Sequence, residues 1–207
     1  TMDGKIAGAN GKHVPISNAT CAEFTHQKRL HSDIILTTAR TVNQDNPLLN
    51  VRFGETTVAK PVAIIDSRAT LSHEAKLLTV AKHCHIYHDE SHPIQIPHQN
   101  CSYHPVPTSQ GQLNLDAIIR DLGSLGYHDV WVEAGGELFT ALHQARLVNK
   151  TYVYIAPTIL GNRAIPAYQH TDIFNNTSNI TWQAMGNNVI VSFDWPVDVE
   201  EHLCLPV

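Results

Sequence analysis

The tetrapeptide Glu133-Ala134-Gly135-Gly136 sets a carboxylate beside two adjacent glycines, directly after the apolar run Val130-Trp131-Val132. Glycine lets a backbone approach a phosphate closely, and a helix starting at such a turn offers free N–H groups and the positive end of its dipole. The turn is a candidate pyrophosphate cradle, and Glu133 a candidate acceptor for a ligand's donor N–H groups. A purely structural turn explains the two glycines equally well. The dinucleotide pattern G-x-G-x-x-G occurs nowhere in the chain.

Two further segments carry groups of the same kind. In residues 41–52, Thr41 offers a hydroxyl, Asp45 a carboxylate and Arg52 a guanidinium suited to bidentate phosphate binding. The competing explanation is a capped helical turn closed by ordinary Asp45-Asn46-Pro47 turn chemistry. In Asp66-Ser67-Arg68, a hydroxyl and an arginine together can hold a ribose 2′-phosphate, against the alternative of a simple surface turn.

Histidine is unusually frequent, with 14 in the chain, and several fall between His83 and His104 beside Cys84 and Cys101. On a strand His83 and His85 share one side and Cys84 takes the other, which argues against a shared metal site. Pro93, Pro97, Pro105 and Pro107 favour loops and edge strands here. The expectation is therefore exposed histidines that bind no metal. His88-Asp89-Glu90 fits half of a zinc deaminase signature, but the required P-C-x-x-C is absent.

The elements that must position these groups alternate between strand and helix, the pattern of a mainly parallel α/β sheet with helices on both faces. Ser17 or Asn18 caps a helix running to Leu30, and Ile34-Ile35-Leu36 follows as a buried strand. Pro61-Val62-Ala63-Ile64-Ile65 is a second strand, and His83 to Tyr87 a third. Asn114 caps a helix over 115–125, in which Leu115, Ile118, Ile119 and Leu122 share one face. A strand over 128–132 and a helix over 137–145 come next. The strands predicted near Tyr152, Asn179 and Val189 have no long helices between them, which suggests an antiparallel edge on the parallel sheet.

With 207 residues and 43% hydrophobic content, the chain suits one domain with a substantial core, residues 1–207. A net charge of −5 argues against nucleic acid, and no apolar run could span a bilayer. Four scattered cysteines without a C-x-x-C point to a reducing, cytoplasmic compartment.

In order, these segments resemble the reductase domain of the bifunctional riboflavin-biosynthesis deaminase/reductase family, whose fold is dihydrofolate reductase-like. Thr1-Met2-Asp3-Gly4-Lys5-Ile6-Ala7 is similar to the family's S-L-D-G-[KR]-x-A turn. Thr41-Val42 and Asp45-Asn46-Pro47-Leu48-Leu49-Asn50-Val51-Arg52 are similar to its T-V-x-x-D-[ND]-P-x-L-T-x-R. Arg29, Ile65-Asp66-Ser67, Val132-Glu133-Ala134-Gly135-Gly136, and Tyr154-Ile155-Ala156-Pro157 with Leu160-Gly161 complete the resemblance.

The resemblance implies reduction by NADPH of the ribosyl group of 5-amino-6-(5-phosphoribosylamino)uracil to ribityl. It implies an NADPH site at Thr41, Asp45, Ser67, Gly135, Gly136, Glu137, Leu138, Phe139, Thr140 and Ala141. It assigns Arg29, Leu49, Arg52 and Glu133 to the substrate, with His13 where the family has a serine. Asp45 and Glu133 are the candidate catalytic residues, Asp45 for positioning or proton relay. No metal is implied, and a homodimer is. The family's tryptophan is replaced by Pro15, and its small residue before T-V by Arg40. The family's first strand is expected before Thr1, and no deaminase domain is expected within the chain. Two alternatives stay open: a same-fold NADPH reductase of another pterin or pyrimidine, and a catalytically silent nucleotide-binding member.

Overall fold

A computed structural model describes residues 1–12, 14–92, 94, 97–109, 111–168 and 177–196. The chain order begins β1 (Lys5–Ala9), α1 (Ala19–His31), β2 (Ile34–Thr38), α2 (Ala39–Asp45), β3 (Val51–Phe53) and β4 (Thr56–Val58). There follow β5 (Pro61–Ile65), α3 (Leu77–Val80), β6 (His83–Asp89), β7 (Cys101–Val106), β8 (Thr108–Ser109) and β9 (Gln112–Leu113). The remainder is α4 (Leu115–Ser124), β10 (Val130–Val132), α5 (Gly136–Gln144), β11 (Lys150–Ile155), β12 (Ala164–Pro166), β13 (Ser178–Met185) and β14 (Asn188–Asp194). These elements belong to two compact units, one over Ala22–Leu138 and one joining Thr1–Cys21 to the chain from Phe139 onward.

The Ala22–Leu138 unit is built on a five-stranded parallel sheet in the order β10-β2-β5-β6-β7. Strands β2 and β5 present apolar residues to both faces because both faces are covered, as parallel sheets require. Ile35, Val62, Ile64, Cys84 and Ile86 pack on one face with Ala39 and Val42 of α2 and Leu77 and Leu78 of α3. Ile34, Leu36, Ala63 and Tyr87 pack on the other with Ile118 and Leu122 of α4. The α4 cap is as expected, with Asn114 Oδ1 accepting from Ala117 N at 3.1 Å. Pro105 lies in β7, the sheet edge, where its missing N–H breaks no ladder.

The expectation of exposed histidines is wrong for this strand. β6 is an interior strand, and His85 and His88 are buried on it. Neighbouring polar groups satisfy the rings. His85 Nδ1 lies 3.1 Å from His104 Nε2, and His85 Nε2 lies 3.2 Å from Tyr127 Oη. His104 in turn meets Asp121 Oδ2 at 3.1 Å, and Tyr87 Oη donates to the same oxygen at 2.8 Å. His83 and His85 do share one side, their rings 4.9 Å apart.

In the second unit, β1 pairs antiparallel with β12. Strands β11, β14 and β13 form an antiparallel sheet of their own, which replaces the expected antiparallel edge on the parallel sheet. Asp3 Oδ2 accepts from Leu160 N at 3.0 Å and Gly161 N at 2.7 Å, joining the first and last of the resemblance segments. Asn18 caps α1, accepting from Cys21 N at 3.0 Å and donating to the Met185 carbonyl at 2.6 Å. Among the described residues, no helix is long and apolar enough to cross a membrane.

Candidate active site

Ligands of open α/β sheets bind beyond the carboxyl ends of the strands, where this sheet gathers most of its candidate groups. The end of β10 leads into residues 133–136 and then α5, the end of β2 into α2, and the end of β5 into residues 66–68. Glu133 N donates to the Leu36 carbonyl at 2.9 Å, which fixes the start of the turn to β2.

Among the described residues nothing requires glycine at position 135. Its φ is not positive, and a Cβ built there would meet no atom within 4 Å. The residue therefore leaves bare, approachable backbone beside the first residue of α5. That is the property a phosphate cradle needs.

The Glu133 carboxylate accepts three hydrogen bonds from two side chains. Arg29 grips it bidentately, Nε to Oε1 at 2.6 Å and Nη2 to Oε2 at 2.8 Å, and Trp131 Nε1 donates to Oε1 at 3.0 Å. Trp131 and Glu133 share a side because alternate strand residues do. A carboxylate oxygen accepts about two hydrogen bonds, so Oε1 is filled and Oε2 keeps one acceptor direction for a further donor. Arg29 Nη1 also donates to the Asn50 carbonyl at 2.9 Å, tying helix α1 to the segment that carries Leu49 and Arg52. Leu49 is buried, and its φ of 47° is rare for a residue with a side chain. Arg52 is exposed, and its N–H donates to His26 Nδ1 at 3.2 Å.

His26 is the residue that sequence reasoning missed. It is buried three residues before Arg29 on α1, and so on the same helix face. Burial lowers its pKa, and the Arg29 and Arg52 cations lower it further, while the Asn50 backbone and Glu133 pull the other way. The helical spacing from Arg29 was a signal that could have found it.

On α2, Thr38 Oγ1 accepts from Thr41 N at 3.2 Å and lies 3.0 Å from Thr41 Oγ1. Asp45 ends the helix with its side chain exposed. Arg40 forms an exposed 2.7 Å ion pair with Glu137 in the first turn of α5. Asp66 is structural: its buried carboxylate accepts from Thr70 N, Thr70 Oγ1 and Leu71 N, shaping the turn that carries Ser67 and Arg68. Beyond this turn lies a cleft of about 370 Å³ lined by Arg68, Leu71, His73, Ile86, His92 and Tyr103.

The Ala22–Leu138 unit thus pairs Arg29 with Glu133 directly, ties Arg29 through the Asn50 carbonyl to the segment of Leu49 and Arg52, and holds Thr41, Asp45, Ser67, Gly135, Gly136, Glu137 and buried Leu138 at or just beyond the carboxyl ends of the same strands. Phe139, Thr140 and Ala141 continue α5 into the other unit, where the buried Thr140 hydroxyl has no partner among the described residues. His13 lies outside the described residues.

Comparison with known proteins gives one consistent result. Residues 1–191 match the family described as RibD C-terminal domain. The chain is 29% identical over 176 residues to the riboflavin biosynthesis protein RibD of Escherichia coli, covering 79% of this chain and 48% of that protein. It is 26% identical over 173 residues to a 5-amino-6-(5-phosphoribosylamino)uracil reductase of Buchnera aphidicola, covering 76% of this chain and 81% of that one. Among solved structures, Acinetobacter baumannii RibD superposes with a TM-score of 0.78 at 19% identity, over 94% of this chain and 55% of that one. The yeast riboflavin biosynthesis reductase Rib7 superposes at 0.77 and 20% identity, over 93% and 85%. The chain spans about half the length of the RibD relatives it matches. These neighbours agree with a dihydrofolate reductase-like fold.

Proposed function

The chain belongs to the RibD C-terminal domain family, and from that premise we propose that it is an NADPH-dependent reductase of 5-amino-6-(5-phosphoribosylamino)uracil, converting the ribosyl group to ribityl. The observation that carries the reading is the pairing of the open Gly135 backbone with the Arg29-bound Glu133 two residues earlier. A phosphate-binding turn and a substrate acceptor then meet at one strand end.

Gly135, Gly136 and the first turns of α5, residues 137–141, hold the cofactor pyrophosphate, with Thr41 and Asp45 across the strand ends and Ser67 toward the ribose 2′-phosphate. When bound, NADPH supplies a hydride to C1 of the ring-opened substrate. The protein's own residues orient C1 and manage charge. Arg52 takes the substrate phosphate, and His13 stands in sequence where the family has a serine for substrate. Leu49 packs against the substrate, and Oε2 of Glu133 accepts one donor of the aminopyrimidine. Asp45 positions or relays the proton that the reduced nitrogen requires.

Residues 1–207 act as one reductase domain in the cytoplasm. We read the natural state as a homodimer, in keeping with Ile180 and Trp182, which stand 55% and 68% exposed on β13. A second reading keeps fold and cofactor but changes the pyrimidine or pterin substrate. It is favoured by Pro15, which removes an aromatic surface the family has there.

The test is to follow NADPH absorbance with the deaminated ribosylaminopyrimidine phosphate. The proposal expects stoichiometric oxidation, with Asp45→Asn lowering turnover at least tenfold. If NADPH neither quenches Trp131 fluorescence nor raises the melting temperature, both reductase readings fall. If NADPH binds but this substrate is not reduced, the second reading stands.

A further inference from the structure

His26 joins the two segments that carry the substrate-side arginines. Arg29 lies one turn away on the same helix, and Arg52 donates its backbone N–H to His26 Nδ1 at 3.2 Å. Because Nδ1 accepts, the neutral ring carries its proton on Nε2. The segment it fastens begins with Leu49 in a strained left-handed conformation, φ 47°, which persists only where surrounding contacts hold it. The Arg29 bond to the Asn50 carbonyl, 2.9 Å, is the second fastening of the same segment.

We propose that His26 is a positioning residue for the phosphorylated substrate: as a neutral imidazole it pins the 49–52 turn to helix α1 and so sets the spacing between the Arg29 and Arg52 side chains. The inference rests on the reductase reading for the identity of the ligand, but not for the geometry. The charged groups bearing on the ring are Arg29 on its own helix, Arg52 on the turn and Glu133 on β10, with the Asn50 backbone as the remaining polar neighbour. Two cations beside a buried ring favour its neutral form, which is the form that can accept from Arg52. On acidification the ring gains a proton at Nδ1, and the acceptor is lost.

The experiment compares His26→Leu, which removes the acceptor, with His26→Asn, whose Oδ1 stands close to where Nδ1 stood. His26→Leu should raise KM for the phosphorylated substrate about tenfold, the worth of one hydrogen bond, and leave KM for NADPH unchanged. His26→Asn should stay within about twofold of the wild type by the same bond. It should also flatten the acid-side rise in substrate KM relative to the wild type; because the substrate phosphate titrates identically against both proteins, that difference isolates the ring.

An unchanged substrate KM in His26→Leu overturns the proposal. So does a parallel rise in both KM values, or an equal loss in the two variants, since each describes general packing damage. If His26→Leu does not fold, His26→Asn decides alone: near-wild-type KM with a flattened acid limb supports the proposal, and a tenfold loss sinks it. Affinity for ribose 5-phosphate is measured in parallel on all three proteins. A wild type that turns nothing over refutes the reductase reading, and His26 is then judged on whether the leucine variant binds ribose 5-phosphate about tenfold more weakly than the asparagine variant.

Discussion

Glu133 receives three donors from two side chains, and its usefulness depends on how few directions they leave open. With Oε1 filled and Oε2 holding one bond, a single acceptor direction is left, which the proposed function gives to a pyrimidine N–H. Replacing Glu133 with Gln puts an NH₂ or a neutral carbonyl opposite the Arg29 fork, so one donor faces another donor. Glu133→Gln should therefore raise substrate KM by one to two orders of magnitude, the scale of a lost charge-assisted pair. Trp131→Phe removes only the indole bond and leaves the fork intact, so its loss should be about tenfold or less. Steady-state kinetics of both variants checks the ordering; a Trp131→Phe defect exceeding that of Glu133→Gln would contradict it. The Trp131–Glu133 relation was legible in the sequence, since residues two apart on a strand share a side. The Arg29 partnership was not, because nothing local links positions 104 residues apart.

At the scale of elements, the start of α5 makes a separable prediction. Gly135 has no positive φ and, among the described residues, no neighbour that a methyl group would strike. Gly135→Ala should therefore leave stability unchanged or raise it slightly, by up to about 1 kcal/mol through the unfolded chain. It should nevertheless raise KM for NADPH, because the methyl occupies the space a phosphate would approach. Denaturant unfolding and cofactor titration on the same preparation check both halves. A destabilised protein would place the glycine's role in packing instead.

The same scale shows why some elements were readable and others were not. Helix α4 announced itself by Asn114 and by Leu115, Ile118, Ile119 and Leu122, and Ile118 and Leu122 are fully buried. Strands β2 and β5 were readable as unbroken apolar runs. Strand β6 misled, because His83, His85 and His88 read as surface residues. What buries His85 and His88 is lateral position between β5 and β7, with polar partners for His85 on β7 and the loop at Tyr127. These contacts arise only from the sheet order, which sequence spacing does not encode. The pairing of β13 with β14 and β11 into a separate sheet was hidden for the same reason.

At the scale of the whole molecule, the histidines decide how stability depends on pH. His26, His85, His104 and His143 all have pKa values lowered chiefly by burial, and His85 is pushed down to about 4. The ordinary imidazole value is about 6.5. Between that value and the lowered one, the unfolded chain binds a proton that the folded chain refuses. Stability is therefore fully present above about pH 6.5 and drains away as pH falls toward 4, at up to about 1.4 kcal/mol per pH unit for each such ring. His104 and His83 lower His85 further by repelling its charged form, and His83 and His88 do the same to His104, while Asp121 opposes both. Urea unfolding at pH 7.5, 6 and 5, values chosen to span the titration of imidazole, should show a falling midpoint with an unchanged m-value. His85→Phe should cost stability at neutral pH, where two ring partners are lost, and yet reduce the acid slope by about one proton's share. A midpoint that stays level from neutral to acidic pH, or a slope untouched by His85→Phe, would mean that these rings accept protons in the folded state as readily as in the unfolded one.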